Sequence, residues 1–294
     1  MKILHYRNLS NIAFDLSRGE RKLGHDSSVV MVKGANPLHF NYDYLIEKNL
    51  KTVAWLMTAF DIYHIHAGDM LPKTLCHLIL KLEGKKIIHH YHGSDVRSKR
   101  PPRLHAFSDV KVVHTPDLLD YVPDAEYVPH PINLDVWKPK PKMKTDGTIT
   151  ILHAPTDPYL KGTKYVIKAV AQLRNEGYPV KLMLMRNVPF AEMPNHYAQS
   201  DIVVDQLILG TYGRVSVEGM AMEKPVCVHV EENIESFLPF EPFMEADQTN
   251  IAEKLRILVE DTNLRKELGI KGRYFCEAVH DSVKLAEKIL SLLK

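Results

Sequence analysis

Cysteine is scarce in this 294-residue chain: Cys76, Cys227 and Cys276 are odd in number, widely spaced and set among apolar neighbours. That pattern excludes a disulfide framework and suits buried thiols in a reducing compartment. Long hydrophobic runs are missing too, so no segment reads as a membrane span. Met1-Lys2-Ile3-Leu4-His5-Tyr6 leads straight into a strand-like pattern without a secretory leader, and a cytoplasmic chain is expected. Neither CxxC nor HExxH occurs, which removes the commonest zinc patterns. GxGxxG is absent after the first strand, which argues against a dinucleotide site there. Charge of one sign is also lacking: 38 Lys+Arg against 36 Asp+Glu leave a net charge of +2, which says little about partners. No internal repeat is visible.

What is present is the make-up of a soluble globular protein, 45% apolar and 25% charged, long enough for two ordinary domains. Strand-like and helix-like segments alternate from the start. Lys2 to Tyr6 reads as a strand, Asn11 to Leu23 as a helix and Val29 to Val32 as a strand. Tyr44 to Thr58 reads as helical, Ile62 to His66 as a strand, Leu71 to Leu82 as helical and Lys86 to Tyr91 as a strand. Val110 to His114 is a further strand, Pro116 to Tyr121 a short helix and Glu126 to Val128 a strand. A lysine-rich stretch with Pro129, Pro131, Pro139 and Pro141 then reads as a connector. A second unit follows, with strands at Ile149 to Ala154 and Lys181 to Met185 and helices at Thr163 to Glu176 and Met193 to Gln199. Helical periods return over Thr249 to Glu260, Leu264 to Ala278 and Asp281 to Leu293. The expected fold class is α/β, two doubly wound Rossmann-like domains. Their bounds are 1–135, a connector at 136–147, 148–278, and a terminal helix at 279–294 that crosses back to the first domain.

The second unit is organised around SDIVVDQLILGTYGRVSVEGMAMEKPVCVH, residues 200–229. Asp201 to Asp205 suits a buried parallel strand, and Gly210, Thr211, Tyr212 and Gly213 form a glycine loop. Arg214 to Met222 can form a packed helix, which Lys224-Pro225 ends before the strand Val226 to Val228. A glycine loop entering a helix at the C-terminal edge of a parallel sheet attracts phosphate, and Glu218, a turn inside, can accept hydrogen bonds from hydroxyls. That pairing suits a nucleotide sugar.

The run GxxGRVSVEGMAMEKPV resembles the C-terminal motif of retaining GT-B glycosyltransferases of the family-4 type, a Glu, seven residues, then Glu-Ala-Met-Ala-x-Gly-x-Pro-Val. The resemblance implies a GT-B fold, two Rossmann-like domains facing across a cleft, and transfer of a hexose-type sugar from a nucleoside diphosphate, UDP by preference, to a hydroxyl acceptor with retention. It places Glu218 at the ribose hydroxyls. The first motif glutamate falls at Gly210, as in a bacterial and archaeal branch with glycine there. Lys161, in LHAPTDPYLKGTKYVIKAVAQL, matches the lysine that contacts the donor phosphates. The arginine that normally precedes it is missing, and Arg186 or Arg214 could supply that charge. No metal or other cofactor is implied, because positive side chains and a helix dipole neutralise the leaving diphosphate.

His92-Gly93-Ser94-Asp95 follows a strand and resembles the family's HGSD motif, which would set His92 at the transferred sugar and Gly93, Ser94, Asp95 and Arg97 on the acceptor side. Read without the resemblance, the same residues make a turn that caps a helix through Asp95. Asp205 could bind sugar or base, or tie the loop through N–H bonds. Tyr212 could stack near the donor or pack internally. His64 and His66 share a strand face and, with His89, His90 and His92, invite a metal reading, against which neutral core histidine is the commoner case. Arg97, Lys99, Arg100 and Arg103 could meet the inner face of a membrane or an anionic acceptor, although a solvated loop explains them as well. They lack the motif or aromatic platform that nucleic-acid binding would need. Two rivals to the transferase remain open, a nucleotide-sugar epimerase on the same fold and a non-catalytic GT-B domain that binds nucleotide or sugar or partners an enzyme.

Overall fold

The structure is a computed structural model that describes residues 1–35, 39–47, 49–67, 70, 75–97, 103–141 and 147–293. The side chains of Leu50, Ser94, Arg103 and Leu104 fall outside the description, as do Lys99, Arg100, 71–74 and part of the expected connector, 142–146. The chain divides into two compact units, Met1–Asn133 with Asp281–Lys294, and Leu134–His280.

The first unit is built on a seven-stranded parallel sheet ordered β3-β2-β1-β4-β5-β6-β7. Its strands are β1 (Lys2–Tyr6), β2 (Asp26–Val32), β3 (Tyr44–Ile46), β4 (Ile62–His66), β5 (Lys86–Tyr91), β6 (Val110–Val113) and β7 (Glu126–Tyr127). Both faces are covered, and the central strands are buried along almost their whole length. Ile3, Ile62, Ile88, Val110 and Val112 pack on the Ile12–Lys22 and Ser282–Ser291 helices. Those helices approach closely at Gly19, where a Cβ would lie 2.3 Å from the Ser282 carbonyl oxygen. The opposite face buries Leu4, Tyr63, Ile65 and Ile87 against Leu56, Cys76 and Leu80. The C-terminal helix joins this unit through Ser282 N–H, which donates to the Ile132 carbonyl at 3.1 Å.

Two expected elements differ. Tyr44 to Thr58 is not one helix: Tyr44–Ile46 pairs with β2, and Asn49 caps a separate Leu50–Thr58 helix by accepting the Thr52 N–H at 2.9 Å. β2 starts earlier than its apolar residues suggest. Ser27 faces inward there, its hydroxyl donating to Glu20 at 2.6 Å.

The second unit holds a five-stranded parallel sheet ordered β12-β11-β10-β8-β9. These strands are β8 (Ile149–His153), β9 (Val180–Leu184), β10 (Ile202–Val204), β11 (Val226–Val228) and β12 (Met244–Glu245). Ile151, Val170, Ile202, Val204, Leu255 and Leu258 anchor its core. Trp137, read as connector, is fully buried against Phe190 and Tyr197, and its carbonyl accepts from Arg273 at 2.7 Å. The expected Leu264–Ala278 helix runs as Thr262–Phe275 and ends in a π turn, Cys276–His280.

The first sheet is rich in buried imidazoles. Burial holds His89 well below its ordinary range, with His105 and His77 adding to the effect, and burial lowers His114 to about 4. Above pH 6.5 such groups are neutral folded or unfolded and cost nothing. Below it the unfolded chain takes up protons the folded one refuses, so stability falls with pH. For each of these two histidines the folding constant should drop about tenfold per pH unit between 6.5 and its folded pKa. Urea unfolding midpoints at pH 7.5, 6.5 and 5.5 check this, and a midpoint unchanged at 5.5 contradicts it.

Candidate functional site

In the second unit the chemistry gathers at the C-terminal ends of β8 and β10. Asp205 follows β10 and is 1% exposed along its side chain. Its Oδ1 accepts from Lys161 Nζ at 3.0 Å. Its Oδ2 accepts from the Gly213 N–H at 3.0 Å, the Ser216 N–H at 3.3 Å and the Ser216 hydroxyl at 2.8 Å. Burial alone would raise this carboxyl, but the Lys161 charge and these donors outweigh it and hold it below the ordinary range. Asp205 therefore ties the Gly210–Arg214 loop to the sheet, and both oxygens are taken up by groups of the chain itself.

Lys161 also donates to the Gln206 side-chain oxygen, and its side chain keeps 15% exposure. It stands just before Gly162, whose positive φ of 73° opens the Thr163–Asn175 helix. A Cβ on Gly213 would lie 3.3 Å from Lys161 Nζ and 3.2 Å from Asp205 Oδ2, so the ammonium sits directly under the loop backbone. In that loop Thr211 Oγ1 is buried with no hydrogen-bond partner among the described residues. Gly210 takes φ 61°, and a side chain there would meet Glu231 Cγ at 2.5 Å and Oε1 at 2.7 Å. The Glu231 carboxylate thus lies over the position where the resembled motif has its first glutamate.

One turn into the Arg214–Ala221 helix, Glu218 accepts from Arg214 Nε at 2.9 Å and from the Tyr197 hydroxyl at 2.9 Å. Burial, then the Glu218 charge, raises the Tyr197 phenol well above its ordinary range, which keeps it a donor. Arg214 lies over the Phe190 ring at 5.6 Å. Arg186 is exposed beyond β9, the edge strand, and Tyr212 is buried against Phe275 and His280. Tyr197, Ser216 and Glu231 carried no local signal in the sequence.

In the first unit His92 is buried at the end of β5 and its Nε2 has no partner among the described residues. Burial, then His114 and His90, keeps it well below the ordinary imidazole range, hence neutral at pH 7. Asp95 Oδ2 accepts the His92 N–H at 2.8 Å and caps the Gly93–Val96 turn. Arg97 packs over Gly93 and reaches Asp117 Oδ2 through Nε at 2.9 Å and Nη2 at 2.7 Å.

No family model and no curated relative matches this chain. Solved structures do. An alpha-glucosyltransferase in complex with UDP and a mismatched DNA 13-mer is similar at a TM-score of 0.72 and 12% identity, over 100% of this chain and 99% of that one. Anabaena HepE with UDP-glucose gives 0.68 and 13%, over 100% and 99%. Sucrose-phosphate synthase from Thermosynechococcus elongatus gives 0.66 and 13%, over 99% and 98%. The fold is GT-B. On this GT-B chain the Lys161, Asp205 and Glu218 constellation belongs to the C-terminal Rossmann-like unit, and His92 with Asp95 to the N-terminal one.

Removing Asp205 takes the acceptor from a hydroxyl and two N–H groups and the counter-charge from the Lys161 ammonium. Asp205→Ala should cost about 3–5 kcal/mol in urea unfolding. Lys161→Met should cost clearly less, because Asp205 keeps its loop donors and the lysine is partly exposed. Equal losses would contradict Asp205 as the loop's tie.

Proposed function

We propose that the chain is a glycosyltransferase that moves a hexose-type sugar from a nucleoside-diphosphate sugar, UDP-linked by preference, to a hydroxyl acceptor with retention. The observation that carries this reading is the Lys161 ammonium held under the Gly210–Arg214 loop, at the start of the helix that bears Glu218. Phosphate oxygens find a positive point charge, a helix N-terminus and the Thr211 hydroxyl there, all fixed before the ligand arrives. Glu218, oriented by Tyr197 and Arg214, takes the ribose hydroxyls. The solved neighbours with UDP, UDP-glucose or UDP and glucose bound lend support by analogy of fold.

Leaving-group stabilisation then falls to Lys161, with Arg214 or the exposed Arg186 adding charge. Glu231 stands in for the missing motif glutamate and accepts from a sugar hydroxyl, which gives Gly210 a reason to lack a side chain. His92 is neutral, so it hydrogen-bonds the transferred sugar without adding charge. A front-face route, in which the departing phosphate takes the acceptor proton, needs charge stabilisation more than a strong base. Transfer by this route needs no metal. Asp95 and Gly93 shape the acceptor side. Arg97, being paired with Asp117, is a weaker candidate for membrane contact than its charge suggests. Gly210 in place of the motif glutamate also fits the second reading, a domain that binds the donor without turning it over.

UDP release from UDP-glucose, UDP-galactose and UDP-N-acetylglucosamine, with and without a panel of hydroxylated acceptors, tests the proposal. Acceptor-dependent release is expected from one donor. Lys161→Met should lower kcat by about a hundredfold or more, and Glu231→Ala should raise KM for the sugar nucleotide but not the affinity for UDP. Binding without release would favour the second reading, and acceptor-independent conversion the epimerase.

A further inference from the structure

The sheet face of the first unit that carries Ile3, Ile62 and Ile88 changes character along each strand. Alternate residues share a face, so the same side continues into His5 on β1, His64 and His66 on β4, and His90 on β5. His5 and His64 are register partners on adjacent strands, and all three of His5, His64 and His66 are fully buried. One nitrogen from each lies within 4.8 Å of those of the other two. His5 Nδ1 and His66 Nε2 are 3.0 Å apart. That spacing approaches the edge of a tetrahedron with Zn–N bonds of about 2.0–2.1 Å, which is roughly 3.3 Å.

The surroundings select among explanations. His5 Nε2 meets Glu20 Oε2 at 2.8 Å, and Glu20, 1% exposed, also accepts the Ser27 hydroxyl at 2.6 Å. A carboxylate behind a ligating imidazole is the usual outer support of a metal site, since it fixes the tautomer and strengthens the ligand. His64 Nε2 is likewise held, 3.2 Å from His90 Nδ1, while His64 Nδ1 and His66 Nδ1 have no partner among the described residues. A carboxylate this deeply buried needs a positive charge nearby. A cation at His5 Nδ1 would supply it.

We propose that His5, His64 and His66 form a site for a zinc-class divalent cation, with Glu20 as its outer carboxylate. Three neutral imidazoles suit zinc among the available ions, and a fourth position is left for water. With Glu20 accepting from His5 Nε2–H, the His5 Nδ1 lone pair faces the cation. His66 frees its Nε2 by moving the ring proton to Nδ1, so no net proton is released. The three histidines and Glu20 all belong to the first unit, and the proposal does not depend on the transferase reading. A second trio, His77, His89 and His105, meets Cys76 and Tyr91 instead and serves as an internal comparison.

The test uses untagged full-length protein stripped by chelator and titrated with Co²⁺, read by the visible d–d bands of tetrahedral cobalt, with Zn²⁺ in competition. One equivalent is expected in the wild type and in His89→Gln, none in His64→Gln or His5→Gln, and affinity weakened about 10–100-fold in Glu20→Gln. Circular dichroism checks that each variant is folded, and the wild-type titration needs no variant at all. A folded wild type that takes up neither ion would overturn the proposal. Full occupancy in folded His64→Gln would overturn it as well.

Discussion

The second unit depends on one buried carboxylate. Asp205 leaves β10 inside a parallel sheet, where a lone carboxylate would be expensive, and Lys161 comes from the end of β8's loop to neutralise it. The other carboxylate oxygen gathers the N–H groups of Gly213 and Ser216, so a single residue fixes the lysine, the glycine loop and the start of the Arg214–Ala221 helix. Glu218 follows one turn later, and Tyr197 and Arg214 hold its rotamer. Pre-positioned donors of this kind cost no reorganisation when charge develops on a leaving group.

The first unit answers a different constraint. Its sheet is covered on both faces, yet the C-terminal halves of its central strands carry imidazole rather than aliphatic side chains. Stacked rings such as His64 and His66, 4.3 Å apart between centroids, fill the volume as aromatics would. Burial keeps most of them neutral, and their nitrogens then have to find partners within the unit. Glu20, itself held by Ser27, meets that need for His5, and the Tyr91 carbonyl, 3.1 Å away, meets it for His114.

How legible each feature was follows from chain distance. The alternation of strands and helices, the glycine loop, Glu218 and Lys161 are local patterns, and the α/β class and GT-B fold could be read from them. Asp205 could be read only as far as two alternatives, because what decides between them is Ser216, eleven residues on, folding back. Glu20 with His5, Tyr197 with Glu218 and Glu231 over Gly210 join segments that no sequence spacing connects. Tyr44–Ile46 was hidden for the same reason: a short strand beside a helix shows itself only through its pairing with β2.

The most direct test of the proposed donor site is a thermal-shift titration of the wild type, Glu218→Ala and Lys161→Met with UDP, GDP and ADP. A ligand that binds only the folded state raises the melting temperature by mass action. The account predicts a concentration-dependent rise with UDP in the wild type, lost in both folded variants. No rise with any nucleotide at millimolar concentration, or an undiminished rise in both variants, would contradict it.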